Sequence, residues 1–271
     1  MLAAIDAGRA YVKYVGPNGV QGKFRSWIYP YYETQMEVIR SPKDVVLEYN
    51  DRKWYVGDVV RYVSDLGQGE NMQEDKTGEH TVIFILTALA LMGANDCEDI
   101  TLITGLPLDQ YRKNKDRIRE RLEGTHTIRI TTGDMEDKRV LVIKKVGVAV
   151  EGAGAFYANP RNGTVRVLDV GSRTVNALSF YNKRYIDPES YTFNYGWDSV
   201  KEENRTPEHF ADRLNASLGR KWKPDDPILV AGGKAEELAG ALRKYYPNAE
   251  AIPDAQMANA IGFWRMGERV G

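Results

Sequence analysis

Short apolar runs separated by turn residues dominate the first part of the 271-residue chain. Residues 2–15 and 20–28 are rich in apolar side chains and flank the sequence "GPNG", which predicts two strands joined by a tight turn. Residues 45–55 predict another pair of short strands around Asn50 and Asp51. The amino-terminal part of the chain is therefore expected to be built from β-hairpins.

Helical patterns appear further along the chain. The run "HTVIFILTALALMG" predicts a helix over residues 77–92 with Gly93 as its cap, and the run is too short to cross a bilayer, so we expect a buried helix. The sequence "DITLITGLP" predicts a buried strand that runs into a Gly-Leu-Pro turn. An amphipathic charged helix, "LDQYRKNKDRIRERLEG", follows and ends at Gly124. Strands are predicted over 128–132 and 139–148, with the polar loop "TGDMEDK" between them.

The second half alternates strands and helices. The small residues of "EGAGAFYA" predict a closely packed helix, and "TVRVLDVGSRTVNALSF" predicts strand, turn and strand. Thr206 and Pro207 begin a helix that runs to about Gly219. "ILVAGGKAEELAGAL" predicts strand, glycine turn and helix, and "PDAQMANAIGFWRMGERVG" predicts a last helix. This alternation favours the α/β class with a mixed sheet, and the length allows one large domain or two lobes.

Charge and cysteine content narrow the possible functions. Lys plus Arg number 37 and Asp plus Glu 38, a net charge of −1, so no overall basic field would attract nucleic acid. The single cysteine, Cys97, excludes an internal disulfide and agrees with a reducing compartment, so we expect a cytoplasmic protein. Asp6 and Arg9 interrupt the apolar start, so no signal peptide is expected there.

One pattern occurs twice, in "LAAIDAGRAYVKY" and "VRVLDVGSRTVNALSF". Each copy has an apolar strand, an aspartate (Asp6 or Asp169), a glycine two residues later (Gly8 or Gly171), a short turn and a second strand. A single copy is typical of an ordinary turn. Two copies at corresponding places favour a clamp for a triphosphate between two lobes.

The chemistry of such a clamp follows from its residue types. A glycine lets backbone N–H groups approach an anion, as in other phosphate-binding loops. The carboxylates of Asp6 and Asp169 would repel phosphate directly, so they fit only through a bridging Mg²⁺ or its waters. Lys13 would supply positive charge to the phosphates.

Two further features are less specific. Gly232 and Gly233 lie between a buried strand and a helix, which serves either close packing or contact with a base or phosphate. Glu151 lies between a strand and a helix, where it either stabilises the helix dipole or acts in chemistry. The three histidines share no ligand spacing with Cys97, so a structural zinc site is not expected.

Taken in order, six segments resemble the actin-type ATPase superfamily, which also contains Hsp70 and sugar kinases, and most closely its plasmid-segregation actins of the ParM and AlfA kind. "IDAGRAYVK" and "VLDVGSRTVN" are similar to the two phosphate motifs, and "VAVEGAGAF" and "AQMANAIGFW" to the two connecting helices. "ILVAGGKAEEL" resembles the adenosine motif, and "TGLPLDQY" a turn common in ParM relatives. The resemblance covers nearly the whole chain.

The resemblance implies a two-lobed, actin-like (ribonuclease H-like) α/β fold with a nucleotide cleft. Lobe I would comprise residues 1–150 plus 260–271, and lobe II residues 151–259. Only about sixty residues separate Asp169 from Gly232, so lobe II is expected to be shortened and its subdomain IIB absent or reduced.

The resemblance also implies roles for individual residues. Asp6 and Asp169 would hold the water shell of Mg²⁺, and Glu151 would position the attacking water. The phosphates would be contacted by Gly8, Lys13, Gly171 and Thr174, and the nucleoside by Gly232 and Gly233. Arg173 and Asn176 depart from the second phosphate motif, in which ParM relatives more often carry Thr and Asp.

The implied function is a nucleotidase that binds ATP or GTP with Mg²⁺, polymerises with itself into filaments and moves plasmid DNA through a DNA-bound adaptor protein. Neither direct nucleic-acid contact nor a membrane is expected. The alternative is a small-molecule kinase of the same superfold, similar to type III pantothenate kinase. It would need a further carboxylate as general base, for which the segment between the phosphate motifs offers no convincing candidate. A nucleotide-binding module without turnover is the third possibility.

Overall fold

The computed structural model describes residues 1–39, 41–64 and 76–269. The chain divides into two compact units, the first containing Met1–Thr104 and Lys113–Val148, and the second Gly105–Arg112 and Ala149–Arg269. Over the described residues, the chain therefore passes between the units three times, after Thr104, Arg112 and Val148. The sequence assigned residues 260–271 to the first lobe, but residues up to Arg269 belong to the second unit, and residues 270 and 271 lie outside the described part.

A mixed sheet forms the first unit, with nine strands among the described residues. In chain order they are β1 (Leu2–Ala7), β2 (Tyr11–Val15), β3 (Gln21–Arg25), β4 (Ile28–Pro30), β5 (Val45–Tyr49), β6 (Arg52–Val56), β7 (Asp99–Leu106), β8 (Gly124–Thr132) and β9 (Met135–Val150). Their order across the sheet is β3-β2-β1-β7-β9-β8-β5-β6-β4. β1 lies between β2 and β7. It is antiparallel to β2 and parallel to β7.

Three helices accompany this sheet in the described residues, α1 (Val60–Val63), α2 (Glu79–Leu91) and α3 (Leu108–Leu122). Helix α2 is buried on almost every side, which explains its continuous apolar sequence, and it ends before Gly93 at φ +78°. Helix α3 buries only Ile118 and Leu122, as its charged sequence predicts. Within the described ranges, none of the helices is both long enough and apolar enough to span a membrane.

The loop predicted over "TGDMEDK" is wrong, because residues 135–138 belong to β9. β8 and β9 form a long hairpin in which Thr132 pairs with Met135, leaving only Gly133 and Asp134 in the turn. Strand residues here carry charged side chains that pair across the surface, for example Arg129 with Glu136 at 2.6 Å. A polar sequence on an exposed strand lacks the apolar alternation from which strands are predicted.

The second unit contains another mixed sheet, with four helices in the described residues. Its strands are β10 (Thr164–Val170), β11 (Val175–Tyr181), β12 (Arg184–Tyr185), β13 (Tyr191–Phe193), β14 (Ile228–Gly232) and β15 (Ala249–Ala251). Its helices are α4 (Ala153–Ala158), α5 (Pro207–Leu218), α6 (Ala235–Leu242) and α7 (Ala258–Gly267). The strand order is β12-β11-β10-β14-β15, with β13 also paired to β11.

The two faces of this sheet carry separate apolar clusters, because successive side chains of β10 point to opposite sides. Leu168 packs in a cluster with residues of α5 and α6, whereas Val167 packs in a cluster with residues of α4. In the second cluster the rings of Phe156 and Phe180 stack at 4.0 Å. Helices therefore cover both faces, as in other α/β proteins.

Helices α4 and α7 cross at backbone contact. A Cβ atom at Gly262 would lie 1.7 Å from the carbonyl oxygen of Gly154, and one at Gly154 would lie 2.6 Å from the ring of Phe263. The small residues of "EGAGAFYA" are thus explained by close packing, as the sequence predicts. This contact is also why the last helix belongs to the second unit.

Residues 182–206 contain little regular structure. Between β11 and α5 the chain forms only the short strands β12 and β13 and three single-turn 3₁₀ helices, at Asp187–Glu189, Trp197–Ser199 and Glu202–Asn204. These residues lie within the interval between Asp169 and Gly232, whose short length led us to expect a shortened second lobe.

Candidate functional site

A buried ion pair lies in the first hairpin. Asp6 in β1 is opposite Lys13 in β2, and the Lys13 Nζ donates a hydrogen bond of 2.8 Å to Asp6 Oδ2. The side chains are only 4% and 16% exposed for Asp6 and Lys13 respectively. The carboxylate within the apolar strand is therefore tolerated because it is paired with a cation.

The turn of this hairpin requires a glycine and is held by a residue that follows β3. A Cβ at Gly8 would lie 2.7 Å from the carbonyl oxygen of Tyr11 and 3.1 Å from Lys13 Nζ. The fully buried Ser26 donates through Oγ to the carbonyl of Gly8, and through its N–H to the carbonyl of Ala10. This role of Ser26 could not be predicted from the sequence, since a lone serine carries no recognisable pattern.

In the second unit, the other hairpin repeats this design with a different partner. Asp169 in β10 is buried and lies opposite Asn176 in β11. The turn between the strands is closed by a hydrogen bond of 3.0 Å from the N–H of Gly171 to the carbonyl of Thr174. Both residues therefore lie in the turn that follows Asp169, as predicted.

The segment after β13 supports this turn. The N–H of Trp197 donates to the carbonyl of Gly171 at 2.9 Å. A Cβ at Gly196 would lie 2.5 Å from the same carbonyl oxygen, so only glycine allows this approach. The sequence pattern did not connect Trp197 with this turn.

Asn259 of α7 binds Asp169 directly. Its Nδ2 donates to Asp169 Oδ2 at 2.9 Å, and its Oδ1 accepts from the N–H groups of Gly152 at 2.9 Å and Ala155 at 3.0 Å. Asn259 lies within a predicted connecting helix but was not among the predicted site residues. The available signal was an amide side chain within the otherwise small and apolar run "MANAIGF".

Glu151 lies beside this network. It is 7% exposed, its N–H donates to the carbonyl of Leu106, and it precedes Gly152, the N-cap of α4. A Cβ at Gly152 would lie 3.5 Å from the Cβ of Asp169, so the segment after Glu151 passes close to that aspartate. Because Glu151 precedes the N-cap, it is not in the first turn of α4, where dipole-stabilising glutamates are usually found.

Gly232 and Gly233 have different surroundings. Gly232 ends β14 with φ +112°, and a Cβ there would lie 2.2 Å from the carbonyl oxygen of Val170, so packing alone requires this glycine. At Gly233 the nearest such atom is Nε2 of Gln256, at 3.8 Å. Packing therefore explains the glycine at position 232 but not the one at position 233.

Each unit thus brings its own predicted residues together. In the first unit Asp6, Gly8 and Lys13 form one cluster. In the second, β10 and β14 are parallel, so Asp169 and the glycines that follow both strands lie at the same edge of the sheet. Across the described part of the chain, no group of three or more His, Cys, Asp or Glu side chains is arranged to hold a metal ion.

Comparisons with known proteins agree with this architecture. Residues 4–154 match the sequence model of a family described as actin like proteins N terminal domain. The fold is similar to that of the crystal structure of Ta0583, an archaeal actin homolog, with a TM-score of 0.81, 20% identity and 99% of both chains covered.

Two filament structures have a similar fold. An AlfA filament bound to AMPPNP gives a TM-score of 0.78 at 20% identity, covering 100% of this chain and 98% of that chain. A 15-stranded ParM filament from Clostridium botulinum gives a TM-score of 0.81 at 19% identity, covering 99% of each chain. A comparison with curated protein sequences gave no match.

Proposed function

Since the chain belongs to the family of actin-like proteins, we propose that it is a nucleotidase that binds ATP or GTP with Mg²⁺ and polymerises into filaments. The observation that carries the proposal is the repeated hairpin. In both units a buried aspartate is held by a hydrogen-bond donor, Lys13 Nζ or Asn259 Nδ2, directly before a glycine turn. Each of these turns offers backbone N–H groups and a fixed carboxylate, the groups that bind a Mg²⁺-nucleotide.

The carboxylate oxygens of Asp6 and Asp169 are suited to binding Mg²⁺ through its water ligands. Mg²⁺ keeps several waters and is usually bound by one or two carboxylates together with substrate phosphates, rather than by a cage of protein ligands. When bound, Mg²⁺ would neutralise charge on the phosphate oxygens. Asp6 and Asp169 would orient its waters, because each carboxylate is fixed by a hydrogen bond of 2.8 or 2.9 Å.

The remaining predicted residues take complementary roles in this proposal. Gly8 and Gly171 leave room for the phosphates to approach the backbone of their turns, and Lys13 and Thr174 add a positive charge and a hydroxyl. Gly233 contacts the nucleoside, since packing does not account for it, and Gly232 lets the strand end approach β10.

Glu151 is proposed to position the water that attacks the terminal phosphate. It is a buried carboxylate that directly precedes the segment contacting Asp169. A carboxylate in this position can accept a proton from a nucleophilic water, an effect that contributes about 10²–10⁴-fold to rate.

Filament formation is proposed on the basis of family membership and of the two similar folds that occur in filaments. A head-to-tail contact between identical subunits is heterologous and produces an open polymer when it does not close into a ring. The filament would move plasmid DNA through a DNA-binding adaptor, since a net charge of −1 supplies no general attraction to DNA.

Polymerisation is tested by sedimentation and light scattering with Mg²⁺ and ATP, GTP or AMPPNP. We expect polymer with a triphosphate, slower disassembly with AMPPNP, and loss of polymer in Asp6→Asn but not in Asp134→Asn, which changes an exposed turn residue. The absence of polymer with every nucleotide, over a range of protein and salt concentrations, would refute the filament proposal.

The adaptor is tested separately by sedimenting filaments with plasmid DNA and the DNA-binding protein encoded nearest to this chain. DNA is expected in the pellet only when filament and adaptor are both present. Sedimentation of naked DNA with filaments alone would show that no adaptor is needed.

A further inference from the structure

We propose that Asn259 is a positioning residue that couples Asp169 to the segment carrying Glu151. The inference rests on the proposed nucleotidase function, in which Asp169 orients the waters of Mg²⁺ and Glu151 orients the attacking water. Through its single amide group, Asn259 holds both the Asp169 carboxylate and the backbone that follows Glu151.

Hydrogen bonding fixes the orientation of this amide. Oδ1 accepts two backbone N–H groups, from Gly152 and Ala155, so Nδ2 must face Asp169. The reverse orientation would place an N–H₂ group against two N–H donors and an oxygen against a carboxylate oxygen. Asn259 is buried, with 7% of the residue exposed, so losing these bonds would leave polar groups without partners.

Asn259 supplies a cap that α4 cannot provide for itself. The first N–H groups of a helix lack partners within the helix, and a side chain at the N-cap usually accepts from them. In α4 the N-cap is Gly152, at φ +82°, which has no side chain. Asn259 therefore fixes the start of α4 from a neighbouring helix, immediately after Glu151.

The contact between α4 and α7 makes this coupling rigid. Gly262 lies one turn after Asn259, and its backbone touches that of Gly154 so closely that no Cβ fits between them. Asn259 therefore cannot shift along α4 without separating the helices. A displacement of Asp169 is transmitted to the start of α4, and a displacement of α4 is transmitted to Asp169.

Asn259→Asp tests the coupling with a nearly isosteric change. The variant keeps an acceptor for Gly152 and Ala155 but replaces the donor to Asp169 with a like charge. We expect the Mg²⁺ concentration that gives half-maximal hydrolysis to rise about 10–100-fold, the usual cost of losing a group that orients a metal ligand. Nucleotide affinity measured without Mg²⁺ should stay unchanged.

The matched control is Asn162→Asp, which makes the same chemical change at an exposed residue just before β10, at the end opposite Asp169. It should behave as the original chain does. If the Asn259→Asp variant also keeps the original Mg²⁺ dependence and rate, the coupling is refuted and the nucleotidase proposal stands. If the original chain hydrolyses neither ATP nor GTP, the proposed function itself fails.

A second variant tests the contact without any activity measurement. In Asp169→Asn combined with Asn259→Asp, donor and acceptor are exchanged and the hydrogen bond between the two side chains can form again. We expect the melting temperature without Mg²⁺ or nucleotide to fall in Asn259→Asp and to recover in the double variant. Failure to recover would refute the direct role of this bond, even if Asn259→Asp alone does not fold.

Discussion

Removing the cation from the first hairpin should destabilise β1 and β2 far more than removing a surface cation. Lys13→Met deletes the ammonium group but keeps most of the aliphatic stem, so Asp6 remains buried and loses its ionic partner. At the observed separation of 2.8 Å, the attraction is about 6 kcal/mol for an effective dielectric constant of about 20. Desolvation of both groups offsets part of that attraction.

We expect Lys13→Met to lower the stability of the hairpin by about 3 kcal/mol. This is the lower end of the range for breaking a buried ion pair, because the Lys13 side chain is 16% exposed. A chain with two units need not unfold in one step, so local stability is the appropriate quantity. Amide hydrogen exchange of peptides from β1 and β2 should accelerate about 100-fold, since each 1.4 kcal/mol corresponds to a factor of ten.

Two comparisons make the result decisive. Arg129→Met breaks an exposed pair with Glu136 at 2.6 Å and should leave the exchange rates of β8 and β9 nearly unchanged, because exposed ion pairs contribute little to stability. Asp6→Asn combined with Lys13→Met should recover much of the lost stability, because no uncompensated buried charge remains. Exchange rates in Lys13→Met equal to those of the original chain, or no recovery in the double variant, would refute this reasoning.

Three further outcomes are expected. Glu151→Ala should keep nucleotide binding and polymer while slowing phosphate release by roughly 10²–10⁴-fold, and an unchanged rate would remove Glu151 from the mechanism. Gly262→Ala, whose Cβ would lie 1.7 Å from a backbone oxygen, should cost at least about 1–3 kcal/mol in thermal unfolding. Gly240→Ala, whose Cβ meets nothing within 4 Å, should instead gain about 0.5–1 kcal/mol, and similar shifts in both would contradict the packing argument. Burial lowers the pKa of His80 below its usual 6.5, with Glu79 opposing and Arg52 adding to the shift. The stability contributed by neutral His80 is therefore full above pH 6.5 and is lost as the pH falls towards the folded-state pKa. His80→Phe should remove this part of the pH dependence of hydrogen exchange in α2. An unchanged pH dependence would refute the assignment to His80.

Local sequence patterns predicted most elements of the fold because those elements bury one face or end at recognisable residues. The apolar run of α2, the Asn50-Asp51 turn and the start of α5 at Pro207 each carry a local physical signal. The extension of β9 over residues 135–138 carries none, because its side chains are exposed and charged. Its strand conformation is imposed by pairing with β8.

The residues of the candidate site also differ in whether a local sequence pattern reveals them. Asp6, Asp169 and their glycines could be found because a charge within an apolar strand is conspicuous and the pattern recurs. Asn259 is about ninety residues from Asp169 in the sequence, and its importance depends on the crossing of two helices. No local pattern encodes such a distant contact.

The three passages of the chain between the units have a consequence for its synthesis. On the ribosome, the segments of the first unit up to Val148 emerge before most of the second, but they carry with them residues 105–112, whose own unit is still missing. Leu106, for example, accepts a hydrogen bond from Glu151, which is made later. The nascent chain therefore contains residues 105–112 before the rest of their unit has been made, and neither unit can be obtained intact by cutting the gene at a single point.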